Sequence, residues 1–157
     1  MPTSSSAQRK VFISHSAANR SFVLRLTHVL ERHRIIRYWY SARHIRGAQE
    51  WHDAIGRGLD ECNWFLLVLT PAAVNSLWVK RELAFALRQR RYNERIIPLL
   101  LKNCEFQNLS WTLDEFEFID FTSDFASGCR QLLRIWQIKY KPERPSAPSA
   151  PQKKTSR

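Results

Sequence analysis

Apolar residues along this chain fall into two alternating rhythms. Lys10-Val-Phe-Ile-Ser-His15, apolar at its centre and ending in polar residues, is followed by compact apolar runs rich in β-branched and aromatic residues at Ile35 to Tyr40, Trp64 to Leu69 and Ile96 to Leu101. Each predicts a strand, and Phe118 to Phe121 predicts a short fifth. Trp64 to Leu69 is unbroken, the pattern of a strand covered on both faces. Between these runs the apolar positions take helical spacing. Phe22, Leu24, Leu26, Val29 and Leu30 predict one helix, Ile55 and Leu59 a second within Trp51 to Cys62, and Phe125 to Tyr140 a last. The stretch Asn75 to Arg91 predicts a helix capped by Asn75 or Ser76, with Val79, Leu83, Ala86 and Leu87 as its inward stripe. Strands alternating with helices give an α/β domain: a central five-stranded parallel sheet with right-handed crossovers and helices on both faces.

In such a sheet ligands bind beyond the carboxyl ends of the strands. Ser14 to Asn19, Ser41 to Ala48 and the turn from Thr70 into the Asn75–Arg91 helix therefore converge on one edge. Glu82 falls near that edge, four residues after Trp78 and so on the same helix face. A carboxylate in so apolar a setting either has a partner or does chemistry. The plain reading is an ion pair with an Arg, while Trp78 packs in the core, Ser14 and His15 satisfy backbone groups at a strand end, and Arg43 and Arg46 form a solvated loop. Lys80 and Arg81, adjacent in sequence, are expected to keep Glu82 ionised.

Charge adds little direction. The 157 residues carry a formal net charge of +11, spread along the chain rather than gathered in a block. No nucleic-acid-reading motif accompanies it, so nucleic acid is disfavoured as a partner. Cys62, Cys104 and Cys129 are isolated, with no C-x-x-C pair, which predicts neither a disulfide framework nor a zinc site and fits a reducing cytoplasm. The five His lack metal-ligand spacing, and no metal is expected. No apolar run is long enough to span a bilayer, so no membrane partner is expected. There is no G-x-S-x-G elbow, and Gly56-Arg-Gly58 lacks the third Gly of a dinucleotide fingerprint. Residues 1–9 read as a flexible start, 10–140 as the domain, and the Pro-, Ser- and Lys-rich 141–157 as a disordered tail or a linker to a further domain or partner.

Three of these stretches, and more weakly a fourth, carry a family resemblance. Val11-Phe-Ile-Ser-His15 resembles the first box of the Toll/interleukin-1 receptor (TIR) domain family, especially its bacterial members. Ile45-Arg-Gly47, followed by Trp51, is similar to the second box and its loop. Ser76-Leu-Trp-Val-Lys-Arg-Glu-Leu83 matches the W-x-x-x-E helix motif, and Phe118-Ile-Asp-Phe121 is a weaker echo of the third box. The second-box loop departs from the pattern, lacking the acidic residue and the Pro before Gly of many members. The resemblance implies a flavodoxin-like three-layer fold and one of two functions. Some members are scaffolds that recruit other TIR domains. Others cleave the nicotinamide–ribose bond of NAD+, in some cases closing the product into a cyclic ADP-ribose. For an enzyme of bacterial immune or defence signalling, the resemblance implies Glu82 as catalytic, Trp78 along the nicotinamide pocket, and Ser14, His15 and Ser16 beside the substrate. Arg43 and Arg46 are then placed to pair with the pyrophosphate. NAD+ is a substrate in that reading, and no cofactor is expected. Neighbouring TIR protomers are expected partners, because assembly often completes the site.

Overall fold

The computed structural model describes residues 8–35, 37–40 and 48–143. Five parallel strands form one sheet: β1 (Lys10–Ser14), β2 (Arg37–Tyr40), β3 (Trp64–Leu69), β4 (Ile96–Leu100) and a two-residue β5 (Ile119–Asp120) at one edge. Their spatial order is β2-β1-β3-β4-β5. The chain starts in the interior, adds β2 on one side, then crosses back to lay β3 on the other. The order therefore reverses between β1 and β3, and this switch point is where doubly wound sheets open a crevice for ligands. No helix among the described residues is long and apolar enough to cross a membrane.

Strand alternation sorts the core into two layers. Val11 and Ile13 of β1 join Leu66 and Val68 of β3 against α1 (Arg20–Arg32) and α5 (Phe125–Ile135). Phe12, Phe65, Leu67 and Leu69 face the other way. There they meet Ile55 and Leu59 of α2 (Ala48–Glu61) and Val79, Leu83 and Ala86 of α4 (Leu77–Leu87). Both faces of the sheet are thus covered, as the unbroken apolar run of β3 requires. Pro98 sits inside β4 without breaking it. Phe65 N–H bonds Arg95 C=O and Leu101 N–H bonds Leu69 C=O, so odd-numbered residues of β4 serve β3. Pro98 faces the other side, one residue before β5 begins to pair at Leu99. No ladder bond is lost.

Two helix ends differ from expectation, and one short helix was not expected: α3 (Pro71–Val74), capped by Thr70. The helix expected over Asn75–Arg91 is α4, capped by Ser76 as expected. It stops at Leu87 because Tyr92 turns inward, its hydroxyl donating to the carbonyls of Leu59 and Cys62. The inward stripe of α4 is Val79, Glu82, Leu83 and Ala86; Leu87 is exposed. The last helix ends at Ile135 rather than Tyr140. Gln137 takes a left-handed φ of 59°, Gln137 N–H bonds Arg134 C=O and Ile138 N–H bonds Leu133 C=O. That double bond pattern closes a helix and reverses the chain. The segment beyond it folds back onto the end of α1. His33 holds Lys141 N–H through Nε2 at 2.8 Å while its Nδ1 bonds Val29 C=O at 2.7 Å, and Tyr140 stacks on the imidazole.

Candidate functional site

The site is built at the carboxyl end of β1. Ser14 shares the strand face of Phe12, two residues earlier, and so points toward α4. The i, i+3, i+4, i+7 stripe of α4 places Glu82 where an apolar residue would normally stand. The two side chains meet there, both with no exposed surface. Ser14 Oγ donates to Glu82 Oε2 at 2.5 Å. Oε1, also buried, has no hydrogen-bond partner among the described residues. A buried polar atom left so costs about 1–3 kcal/mol, and such atoms need a reason.

Electrostatics follow from this burial. Removal from water pushes the Glu82 carboxyl up to about 8, with the Ser14 hydrogen bond pulling the other way. Glu82 is therefore mostly neutral at pH 7 in this conformation. This reverses the expectation that Lys80 and Arg81 keep it ionised. Residues adjacent in a helix point about 100° apart, and both cations lie on the exposed side.

A second polar pair flanks the first. Thr70, at the end of β3, donates from Oγ1 to Asn19 Oδ1 at 2.7 Å, and the same hydroxyl accepts from Ala73 N–H. Thr70 thus ties the β1–α1 turn to the start of α3 while capping that helix. Both residues are buried. Neither was among the candidates, because residues 51 apart that pair across two turns leave no sequence motif. Of the remaining candidates, His15 is buried, its Nδ1 3.0 Å from Ile13 C=O. Ser16 spends its hydroxyl capping the turn Ala17–Asn19. Trp78 lies on the first turn of α4 and is 46% exposed, so it does not share the burial of Glu82. The Arg81 guanidinium carbon lies 5.9 Å from its ring centroid. Arg43, Arg46 and the rest of the second-box loop lie outside the described residues. The last described residue before them, Tyr40 of β2, is in register with Ile13. Among the described residues no three His, Cys, Asp or Glu side chains gather to hold a metal ion.

A sequence model of the TIR domain matches residues 11–133, most of the chain. The chain belongs to the TIR domain family. The fold agrees: the crystal structure of the TIR domain of the Toll-related receptor TRR-2 from the lower metazoan Hydra magnipapillata superposes with a TM-score of 0.64. It is 21% identical, and the match covers 80% of this chain and 95% of that one. No curated protein matches. Glu82 stands in the stretch that resembles the W-x-x-x-E helix motif, and its polar pair with Ser14 joins that stretch to the one that resembles the first box.

Proposed function

We propose that this TIR domain cleaves the nicotinamide–ribose bond of NAD+, with Glu82 as the catalytic carboxylate. The observation that carries the reading is the buried Glu82 carboxyl at the β1/β3 switch point, with one oxygen bonded to Ser14 and the other without a partner among the described residues. Among the described residues no guanidinium clamps it; its hydrogen-bond partner is a hydroxyl.

The chemistry asks little of the protein. Nicotinamide is bound as a pyridinium and departs neutral, so no general acid has to protonate the leaving group. Ordinary glycosidases need two carboxylates largely for that reason. A single carboxylate, ionised and in a site shielded from water, stabilises the positive charge that develops on the ribose. The unpartnered Oε1 is suited to accept a ribose hydroxyl. Water then captures the sugar, or a nucleophile within the same nucleotide closes a cyclic ADP-ribose. Trp78 offers a flat face to the pyridinium, worth about 0.5–2 kcal/mol as a cation–π contact. Arg43 and Arg46 remain proposed partners of the pyrophosphate, and Ser16 and His15 are proposed to lie beside the substrate. A role in bacterial defence or other signalling in the cytoplasm, through self-assembled protomers, goes with this reading.

A second reading is a scaffold working only through TIR–TIR association. It is favoured by exposed apolar side chains on α4, Leu77, Trp78 and Phe85, and by Trp111, which is 75% exposed. Nicotinamide release from NAD+ separates the two. Purified protein is assayed with and without a crowding agent that drives assembly. Release under either condition supports the enzyme; none under any assembly condition supports the scaffold.

A further inference from the structure

We propose that Ser14 is the positioning residue of Glu82: its hydroxyl holds Oε2, aims the carboxyl and favours its ionised form, and does not itself contact substrate. This rests on the NAD+-cleavage reading for its consequence in catalysis, but the contact between the two residues stands apart from it.

The geometry assigns the role. Ser14 has no exposed surface, lies within β1 and points along the Phe12 face into the layer beneath α4. Its single hydrogen goes to Oε2. A substrate atom bonded by that hydroxyl would have to displace Glu82. On the carboxyl, Oε2 is held by the protein and Oε1 is left over. A carboxyl fixed at one oxygen, and without a partner at the other among the described residues, is aimed, because rotation about its last bond would break the Ser14 contact.

The hydrogen bond also acts on protonation. A hydroxyl donates more strongly to a carboxylate than to a neutral acid, so it opposes the effect of burial. The charged and titratable groups nearest along the packed elements are His15, next on β1, and Lys80 and Arg81 on the outer side of α4. None of these is among the causes of the Glu82 shift, which are burial and Ser14. Without the hydroxyl, Glu82 must shed its proton into an apolar layer unaided. A reaction that needs the ionised form then shifts to higher pH.

Two variants and two readouts test this. Ser14→Ala removes the hydroxyl; Ser14→Thr keeps one. In assembled protein, Ser14→Ala is expected to lower kcat at pH 7 by about tenfold, leave KM for NAD+ within about twofold, and move the ascending limb of the pH profile up by about one unit, a tenfold change in proton affinity. Ser14→Thr is expected to restore much of the rate. A raised KM with an unmoved pH limb would make Ser14 a substrate contact and overturn the proposal. The second readout needs no turnover. Carbon-13 NMR of labelled glutamate follows the Glu82 carboxyl, identified by its loss in Glu82→Gln. Its midpoint should rise in Ser14→Ala. An unchanged midpoint overturns the positioning role even if NAD+ is never cleaved, and a silent wild type with a shifted midpoint refutes the enzymatic reading alone.

Discussion

Ser14 and Glu82 lie 68 residues apart in the chain, and their side chains meet at 2.5 Å. The contact exists because strand parity turns Ser14 toward the α4 layer and the helical stripe turns Glu82 toward the sheet. It places an ionisable group where the packing calls for Leu or Ile. A fold keeps such a group at a cost in stability, and that cost depends on pH in a definite direction.

The Glu82 carboxyl is raised from 4.5 to about 8 in the folded chain. Between those values the native state holds a proton that the unfolded chain has lost. Stability is therefore full below about pH 4.5, falls as pH rises toward 8, and levels off above it. The total is roughly 5 kcal/mol at 1.36 kcal/mol per unit. Glu82→Gln, which cannot ionise, is expected to flatten this slope and to be more stable than wild type at pH 8. Urea denaturation at pH 5, 6.5 and 8 measures it, and parallel slopes for both proteins would contradict the burial argument.

Thr70 serves two bonds at once. Thr70→Val leaves Asn19 without its donor and the Ala73 N–H without its cap, and should cost about 2–3 kcal/mol. Because α3 leads directly into α4, the same change should weaken the hold on Glu82. Denaturant midpoints give the first effect, and amide exchange along α4 gives the second.

Two glycines should respond with opposite sign. A Cβ on Gly128 would stand under 3.0 Å from three atoms of the Phe121 ring. Phe121 is buried and packs edge-on against Phe22, so Gly128→Ala should destabilise by about 1–3 kcal/mol. A Cβ on Gly56 meets nothing within 4 Å. Gly56→Ala, in the middle of α2, should stabilise by about 0.5–1 kcal/mol. Thermal melts of the two variants should bracket wild type.

His33 fixes the segment after α5. With Lys141 N–H donating to Nε2, the ring hydrogen must sit on Nδ1 and point at Val29 C=O. Accepting the Lys141 N–H requires Nε2 to carry no hydrogen. His33→Ala should free residues 138–143 and cost about 1–3 kcal/mol. Faster amide exchange at Lys141, with unchanged exchange at β1 and β3, is the expected result.

Much of this architecture was legible in the chain. Compact apolar runs such as Trp64 to Leu69 gave the strands, because a strand buried on both faces has no room for polar residues. Trp78-x-x-x-Glu82 and Ser14-His15 pointed to the edge of the sheet where Ser14 and Glu82 meet. The state of Glu82 was not legible, because sequence adjacency to Lys80 and Arg81 suggested a charge environment that helical geometry points away. Trp78 and Glu82, four apart, proved to differ in burial, since a helix face has an edge and Trp78 lies on it. The helix ends at Leu87 and Ile135 depend on Tyr92 reaching α2 and on a left-handed Gln137, neither of which has a local signature.

If one buried carboxyl does the work of cleavage, exchanging one of its oxygens for nitrogen should abolish it. Nicotinamide release from NAD+ is compared for wild type and Glu82→Gln under conditions of assembly, at pH 7 and pH 9. Wild type should turn over, faster at pH 9, and Glu82→Gln should lose at least about 10²–10³ in rate at both. An amide variant that releases nicotinamide as fast as wild type would contradict the account.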